Sequence, residues 1–362
     1  MLSTRRSARR AIPLVFCLSL LLVGAAQADS LNVRLVGTCD TPGYALGVAV
    51  KGIHAYVADH SSGLRVISVA DPTHPVEVGC YDTPGLAGDV AVVGNYAYVA
   101  DGTSGLRIIT VADPTHPVEV GYYDTPDWAA GVVVDGSYAY VADNNSGLLV
   151  ISVSDPAHPV EAGHYDTDYA VDVDVVGHHA FVADYDSGLR VISVVDPAHP
   201  TEIGYIGTPG SACGVAVDGD HAFIADYYAG LRVISVVDPT HPIEIGHSDV
   251  PAMAEDLAVF DNNVYVADHA FGLRVISVAD PAHPTEVGYH NSPDPACGVA
   301  VVGDYAYVAC FEAGLQIYQF YGGGIEEAMS DERRAMRVPA TVVRGVLVLG
   351  AVGSRLTMSN GV

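Results

Sequence analysis

The sequence predicts an all-β chain folded as a seven-bladed β-propeller of four-stranded blades, and three observations carry that prediction. A Gly-Leu pair recurs at Gly63, Gly105, Gly147, Gly188, Gly230, Gly272 and Gly314, in steps of 42, 42, 41, 42, 42 and 42 residues. A fixed period near 40 residues with several strands per unit is the mark of a propeller. Within each unit, short β-branched and aromatic runs are punctuated by Gly, Pro, Asp and Ser, and no apolar stripe of helical period appears. Finally, the outermost strand that the seventh unit lacks is found at the other end of the chain. Residues 33–43 align with 75–85 one repeat later, and both stretches end in Asp-Thr-Pro-Gly. The N-terminal strand is therefore expected to complete the last blade and close the ring, which removes open sheet edges.

Taken in order, the first unit places strand A at Gly47–Val50, a turn at 51–54 and strand B at Ala55–Asp59. A Ser-Ser-Gly turn leads into strand C at Leu64–Val69, and the loop Asp71-Pro72-Thr73-His74-Pro75 into strand D at Val76–Tyr81. Alternation within strands is weak, as in Val66-Ile67-Ser68-Val69, because a blade is covered by a neighbour on both faces. Strand D follows C in the first six units, after loops beginning at Asp71, Asp113, Asp155, Asp196, Asp238 and Asp280. The seventh unit instead runs from Leu315 into Tyr321-Gly322-Gly323-Gly324. In such a ring the B–C and D–A loops emerge on one face and the A–B and C–D loops on the other.

Outside the repeats the chain reads differently. Arg5, Arg6, Arg9 and Arg10 precede an apolar run, Ile12 to Ala26, and Ala26-Gln27-Ala28 fits a small-x-small cleavage site. Residues 1–28 are thus expected to be a signal peptide, 29–321 the propeller, and 322–362 a linker with a truncated tail. The apolar run is short for a membrane span, so the mature chain is expected to have no transmembrane segment. In the tail, 325–337 is a charged linker and Thr341–Leu349 is strand-like. This tail resembles the opening of a C-terminal sorting domain found on some secreted bacterial proteins. The formal charge is −27, from 16 basic against 43 acidic residues with Lys51 the only lysine. That balance argues against nucleic acid, which needs a basic face. It suits either solubility in a salty medium or attraction of cations and cationic ligands.

Candidate site residues follow from the repeat and from departures from it. An Asp stands four residues before each Gly-Leu pair (Asp59, Asp101, Asp143, Asp184, Asp226, Asp268) until Cys310 replaces it. Such residues ordinarily accept hydrogen bonds from their own turn. At the start of strand A, beside the central tunnel, the seven copies read Gly47, Asp89, Gly131, Asp172, Gly214, Asp256 and Gly298, with Asp174 two residues on. Carboxylates converging on a tunnel mouth suit a hard cation, so Asp89, Asp172, Asp174 and Asp256 are the candidate metal ligands with Ca²⁺ the candidate ion, and a structural or purely electrostatic role for carboxylates spaced around the ring is the alternative. Tyr44, Trp128 and Tyr169 in the D–A loops are candidate ligand-face aromatics. The six histidines of the Asp-Pro-x-His-Pro loops (His74, His116, His158, His199, His241, His283) read as turn chemistry on separate blades. If Gly303-Asp304 is a two-residue hairpin turn, Cys297 faces Cys310. An exported chain meets oxidising conditions, so a Cys297–Cys310 disulfide is expected.

Gly-Leu-Arg-Val-Ile-Ser-Val-Ala-Asp-Pro, repeated with Tyr-Ala-Tyr-Val-Ala-Asp ahead of it, resembles the LVIVD-repeat family of bacterial and archaeal surface or secreted propellers, over residues 32–321. Ser68 stands where many members carry Asp, with Asp71 coming later. The resemblance implies a seven-bladed propeller outside the cell and carries no common activity. The expected function is a non-enzymatic extracellular or cell-surface binding scaffold, monomeric, with an extracellular protein or glycan as partner. The alternatives are a propeller enzyme (hydrolase, lyase or oxidoreductase) and a cation-binding structural protein of the surface. A catalytic site needs a few unlike groups at one place, and units that differ by at most one residue in length offer no evident break. No phosphate-cradling loop or HExxH-type motif occurs.

Overall fold

Each repeat folds as an antiparallel meander whose four strands run outward from a central axis. The structure, a computed structural model, describes residues 30–322; the signal-peptide reading of 1–28 and the tail reading lie outside the described residues. In blade one, strand A is Gly47–Lys51, B is His54–Ala58, C is Leu64–Ser68 and D is Val76–Tyr81. The order A-B-C-D holds in all seven sheets. No helix among the described residues is long and apolar enough to cross a membrane.

Closure happens as the sequence implies. Val33–Cys39 pairs antiparallel with Leu315–Phe320, Val33 opposite Phe320 and Cys39 opposite Leu315, and so supplies strand D of blade seven. A further strand, Ser30–Leu31, was not foreseen. It pairs with Thr285–His290 as a fifth strand of blade six. Its position has a reason in the packing of the outer strands. Gly79 in strand D lies so close to the Pro114 carbonyl, in the next blade's C–D loop, that a Cβ there would collide with it. The same nesting recurs at Gly37, Gly121, Gly163, Gly204 and Gly246. At Gly288 the neighbouring atoms are instead the Leu31 carbonyl and the Phe320 ring.

The core is not one cluster but seven layers, each between the facing surfaces of two successive sheets. Tyr56, Leu64 and Val66 of blade one meet Val90, Val92 and Val99 of blade two. Around the ring this repeats until Tyr307, Leu315 and Ile317 of blade seven meet Val48, Val50 and Val57 of blade one. Because each sheet is covered on both sides, strands B and C are buried almost throughout. Burial of this kind contributes roughly 25 cal/mol per Å² of apolar surface, so a blade without its neighbour loses most of its stabilisation. A chain beginning at Thr41 lacks the outer strand of blade seven and leaves Leu315–Phe320 as an open edge. It is expected to melt at least about 10 °C lower than the full chain, read by thermal unfolding followed by circular dichroism.

Candidate functional site

The B–C corner of each blade is built around its buried aspartate. Asp59 is 0% exposed, and its carboxylate accepts from the Thr41 hydroxyl (2.6 Å) and the Gly43 N–H (2.8 Å). Both donors belong to the D–A loop that brings the chain in from the previous blade. The expectation that this carboxylate serves its own turn is therefore corrected. That turn closes through the backbone, Ser62 N–H donating to the Asp59 carbonyl at 2.9 Å. The aspartate series instead ties each blade to its incoming linker, as Asp101 does through Thr83 and Gly85 and Asp226 through Thr208 and Gly210. Arg65 on strand C adds the counter-charge, 3.7 Å from Asp59, 2.9 Å from Asp82 and 3.8 Å from Glu77. The guanidinium recurs as Arg107, Arg190, Arg232 and Arg274. Blade three has Leu149 there and blade seven Gln316. Burial pushes Asp59, Asp101, Asp143, Asp226 and Asp268 above the ordinary carboxylate value.

The four tunnel carboxylates have a structural task as well. Asp89 accepts from the Val132 N–H at 3.0 Å, Asp172 from Val215 at 2.9 Å, Asp174 from Val217 at 2.7 Å and Asp256 from Val299 at 2.8 Å. In every case the donor is on strand A of the following blade, whose inner edge has no strand to pair with. The alternating glycines are the other half of the device. A Cβ on Gly47 would lie 2.8 Å from the Asp89 Cα, and one on Gly131 would lie 2.9 Å from the Asp172 carboxylate. Asp89, Asp172 and Asp256 come from alternate blades and line one cavity at the tunnel mouth. Among the described residues no group of three or more His, Cys, Asp or Glu side chains is disposed to hold a metal ion.

One position ahead of strand A, the seven copies read Leu46, Gly88, Ala130, Val171, Cys213, Glu255 and Cys297. These residues rim a cavity of about 290 Å³ at the tunnel mouth, with Asp89, Asp172 and Asp256 beneath. Four contiguous blades give it an apolar or open wall and three give it thiol, carboxylate and thiol. The Cys213 thiol donates to the Ser211 carbonyl (3.4 Å) and that of Cys297 to the Pro295 carbonyl (3.7 Å). Burial, with Glu255 adding to it, pushes both thiols up to about 12. Cys297 and Cys310 follow directly on the paired Gly298 and Ala309 and do face each other, yet both are free thiols. The Cys310 thiol instead lies buried with Ser292 and Tyr318, while Cys297 turns back to Pro295.

Blade six breaks the repeat at this mouth. Its inner strand, Ala254–Phe260, slips register between Ala254 and Asp256, so Glu255 is the extra residue of a bulge. The other inner strands pair with no such slip. Bulges re-aim side chains and are over-represented beside functional sites. The B–C turn differs too. In the other blades the residue after the corner Asp or Cys has positive φ (His60, Gly102, Asn144, Tyr185, Tyr227, Phe311), whereas in blade six His269–Phe271 forms a 3-10 turn. The two departures meet, His269 Nδ1 lying 3.1 Å from Glu255 Oε1. Sequence reasoning missed this pair. Its signal was the column of residues preceding strand A, in which Glu255 stands out.

The candidate aromatics lie on the same loop face but not in one pocket. Tyr44 stacks on Phe311 (4.1 Å between centroids), and the Trp128 ring covers Gly102. Tyr169 approaches Tyr185 (5.6 Å) and borders a second cavity of about 470 Å³ with Asp168, Asp184, Asp186 and Ser187. On the opposite face each loop histidine contacts its own aspartate, as His74 does Asp71 at 3.2 Å, and points into solvent, 81% exposed. Those histidines do not meet.

Fold and corner geometry together define a closed propeller of near-identical blades. The LVIVD repeat profile matches residues 42–83, 84–125, 128–167, 169–208, 209–250, 251–292 and 295–318. The chain belongs to the LVIVD repeat family. Solved structures share its fold at very low identity. The RRP9 WD40 repeats align with a TM-score of 0.64 at 11% identity, covering 80% of this chain and 97% of that one. U3-55K aligns at 0.62 and 11%, covering 79% and 98%, and the computationally designed Ika8 protein at 0.60 and 5%, covering 79% and 99%. No curated protein matches the sequence.

Two outcomes are expected from the corner and tunnel aspartates. Asp59→Asn leaves Arg65 its bridges to Asp82 and Glu77 but removes the carboxylate that accepts from Thr41 and Gly43, and should cost about 1–3 kcal/mol, while Asp143→Asn, with no guanidinium opposite, should change stability at neutral pH by less than about 1 kcal/mol. The folded-state value of Asp143 lies above its unfolded one, so its contribution is fully present below the unfolded value of about 4 and lost as pH rises through the folded one. Wild type should therefore gain on Asp143→Asn between pH ~7 and pH ~5, read by urea unfolding at each. Asp172→Ala should cost about 1–3 kcal/mol by leaving the Val215 N–H without its acceptor. A purely bridging role further requires that Ca²⁺ leave the melting temperature of wild type unchanged.

Proposed function

We propose that this chain is an exported, non-enzymatic binding scaffold that engages an extracellular partner through the face carrying the B–C and D–A loops. The observation that carries the reading is the contrast between the two faces. One holds Tyr44, Trp128, Tyr169 and Tyr185, two cavities, and the altered B–C turn of blade six. The other presents the same Asp-Pro-x-His-Pro loop in copy after copy, its histidines tied to their own aspartates. A rigid frame with distinctive loops on one side is the usual arrangement for recognition. Export is supported by the basic n-region, apolar run and cleavage site in residues 1–28. A protein partner is favoured over a glycan by charge, since a chain of net charge −27 attracts a basic surface.

The non-enzymatic reading is supported at the tunnel mouth, where thiols, a histidine and a carboxylate come near one another. The Glu255–His269 pair is flanked by Cys213 and Cys297, but a thiol pushed up to about 12 is the opposite of an activated thiolate. The test compares two triple variants on arrays of secreted proteins and glycans. Tyr44→Ser/Trp128→Ser/Tyr169→Ser is expected to abolish the binding that wild type gives, and His74→Ser/His116→Ser/His158→Ser to preserve it. Absence of wild-type binding, or loss only in the histidine variant, would overturn the proposal.

A further inference from the structure

We propose that the tunnel mouth is a receptor for an alkylammonium group, as borne by a partner's lysine side chain, with the Glu255 carboxylate as its counter-ion and the wall of Leu46, Ala130 and Val171 receiving the alkyl chain. The inference rests on the loop-face reading above and names the chemistry of what enters it. Four features lead there. The mouth is concave, about 290 Å³, with no lysine or arginine among its lining residues. Its rim is divided, the apolar or open half on blades one to four facing the Cys213–Glu255–Cys297 half on blades five to seven. An ion alone would have no use for the first half, and an apolar ligand none for the second.

The third feature is the local break in the scaffold. Among the described residues the other blades make the B–C turn through a positive-φ residue, whereas blade six makes it through a 3-10 turn and extends its A–B pairing across a register slip to Ala254, which sets Glu255 against His269 at 3.1 Å. That contact fixes the carboxylate's orientation. Glu255 also differs from the carboxylates below it, because Asp89, Asp172 and Asp256 hold backbone N–H groups of the next blade while Glu255 has a side-chain partner only at His269. The fourth feature is the long-range field. The chain's net charge of −27 and the three aspartates beneath the rim favour a cation at the mouth of a low-dielectric funnel. A metal ion fits less well, since no three candidate ligands are disposed to hold one and burial holds both thiols in their protonated form.

The experiment titrates the full chain with n-butylammonium, Nα-acetyl-lysine amide and the neutral control Nα-acetyl-norleucine amide, read by calorimetry and by thermal shift. Both ammonium probes should bind and raise the melting temperature, and the norleucine analogue should do neither. Glu255→Gln should weaken binding at least about tenfold. Val171→Asn, which places an uncharged polar side chain in the apolar wall, should weaken binding too, and each variant's circular dichroism verifies its fold. Equal binding of the norleucine analogue, binding indifferent to both substitutions, or no binding of either ammonium probe would overturn the inference. So would Zn²⁺ alone raising the melting temperature in a way that Cys213→Ser removes, which would make the mouth a thiolate metal site. Should the probes fail while the aromatic triple variant still abolishes array binding, this inference falls and the scaffold reading stands.

Discussion

Everything in this ring depends on the apolar layer between one sheet and the next. A single four-stranded blade has two apolar faces and cannot bury either by itself, so it is stable only as a filling between neighbours. The seven layers have nearly the same composition because each blade offers the same two surfaces. That requirement forces closure, since a first and a last blade would each leave a layer half made. The chain meets it by weaving both of its ends together. The N-terminal strand completes blade seven, and Ser30–Leu31 reaches past it to blade six. Polar groups then work at the edges of these layers, where backbone donors would otherwise be stranded. The corner aspartates hold the linkers and the tunnel aspartates hold the inner strands.

Much of this was legible in the residues because a repeat acts as its own alignment. Strand D was placed at Val76–Tyr81 to the residue, and the closing strand was found by offsetting Val33 against Pro75. Strand B begins and ends one residue earlier than read, since His54 already pairs with Ser68 and Asp59 leaves the strand to bond across to Gly43. What sequence could not supply was the direction of a carboxylate. Asp59 beside a Ser-Gly turn looks like a turn cap, and only the fold brings Thr41, 18 residues upstream, to within 2.6 Å of it. Likewise, that Asp89 and Asp256 each accept from a backbone N–H of the next blade could not be read from the recurrence of acids along the chain. Cys297 and Cys310 were correctly set opposite each other, but facing positions do not decide where a sulfur points.

The site was harder to read than the scaffold for a physical reason. Repetition reveals what all blades need, whereas recognition depends on what one blade does differently. Glu255 is a single residue in a bulge that costs no change of repeat length, so counting along the chain does not expose it. Only when the seven entries to strand A are set in a circle does the division of the mouth into two chemistries become visible.

The tunnel aspartates have one consequence for how the ring is put together. Their bridges run from blade two to three, from four to five and from six to seven. Between those couples the contact is made by glycine, at Gly47, Gly131 and Gly214. Two kinds of seam that take turns cannot fit an odd circle without a repeat of one kind. The doubled seam falls around blade one, where Gly298 backs directly onto Gly47 on one side and Gly47 meets Asp89 on the other. The wheel is thus three coupled pairs and a bachelor; an odd number demands one lone blade, and the placing of Asp and Gly sets it next to blade seven, which Val33–Cys39 completes.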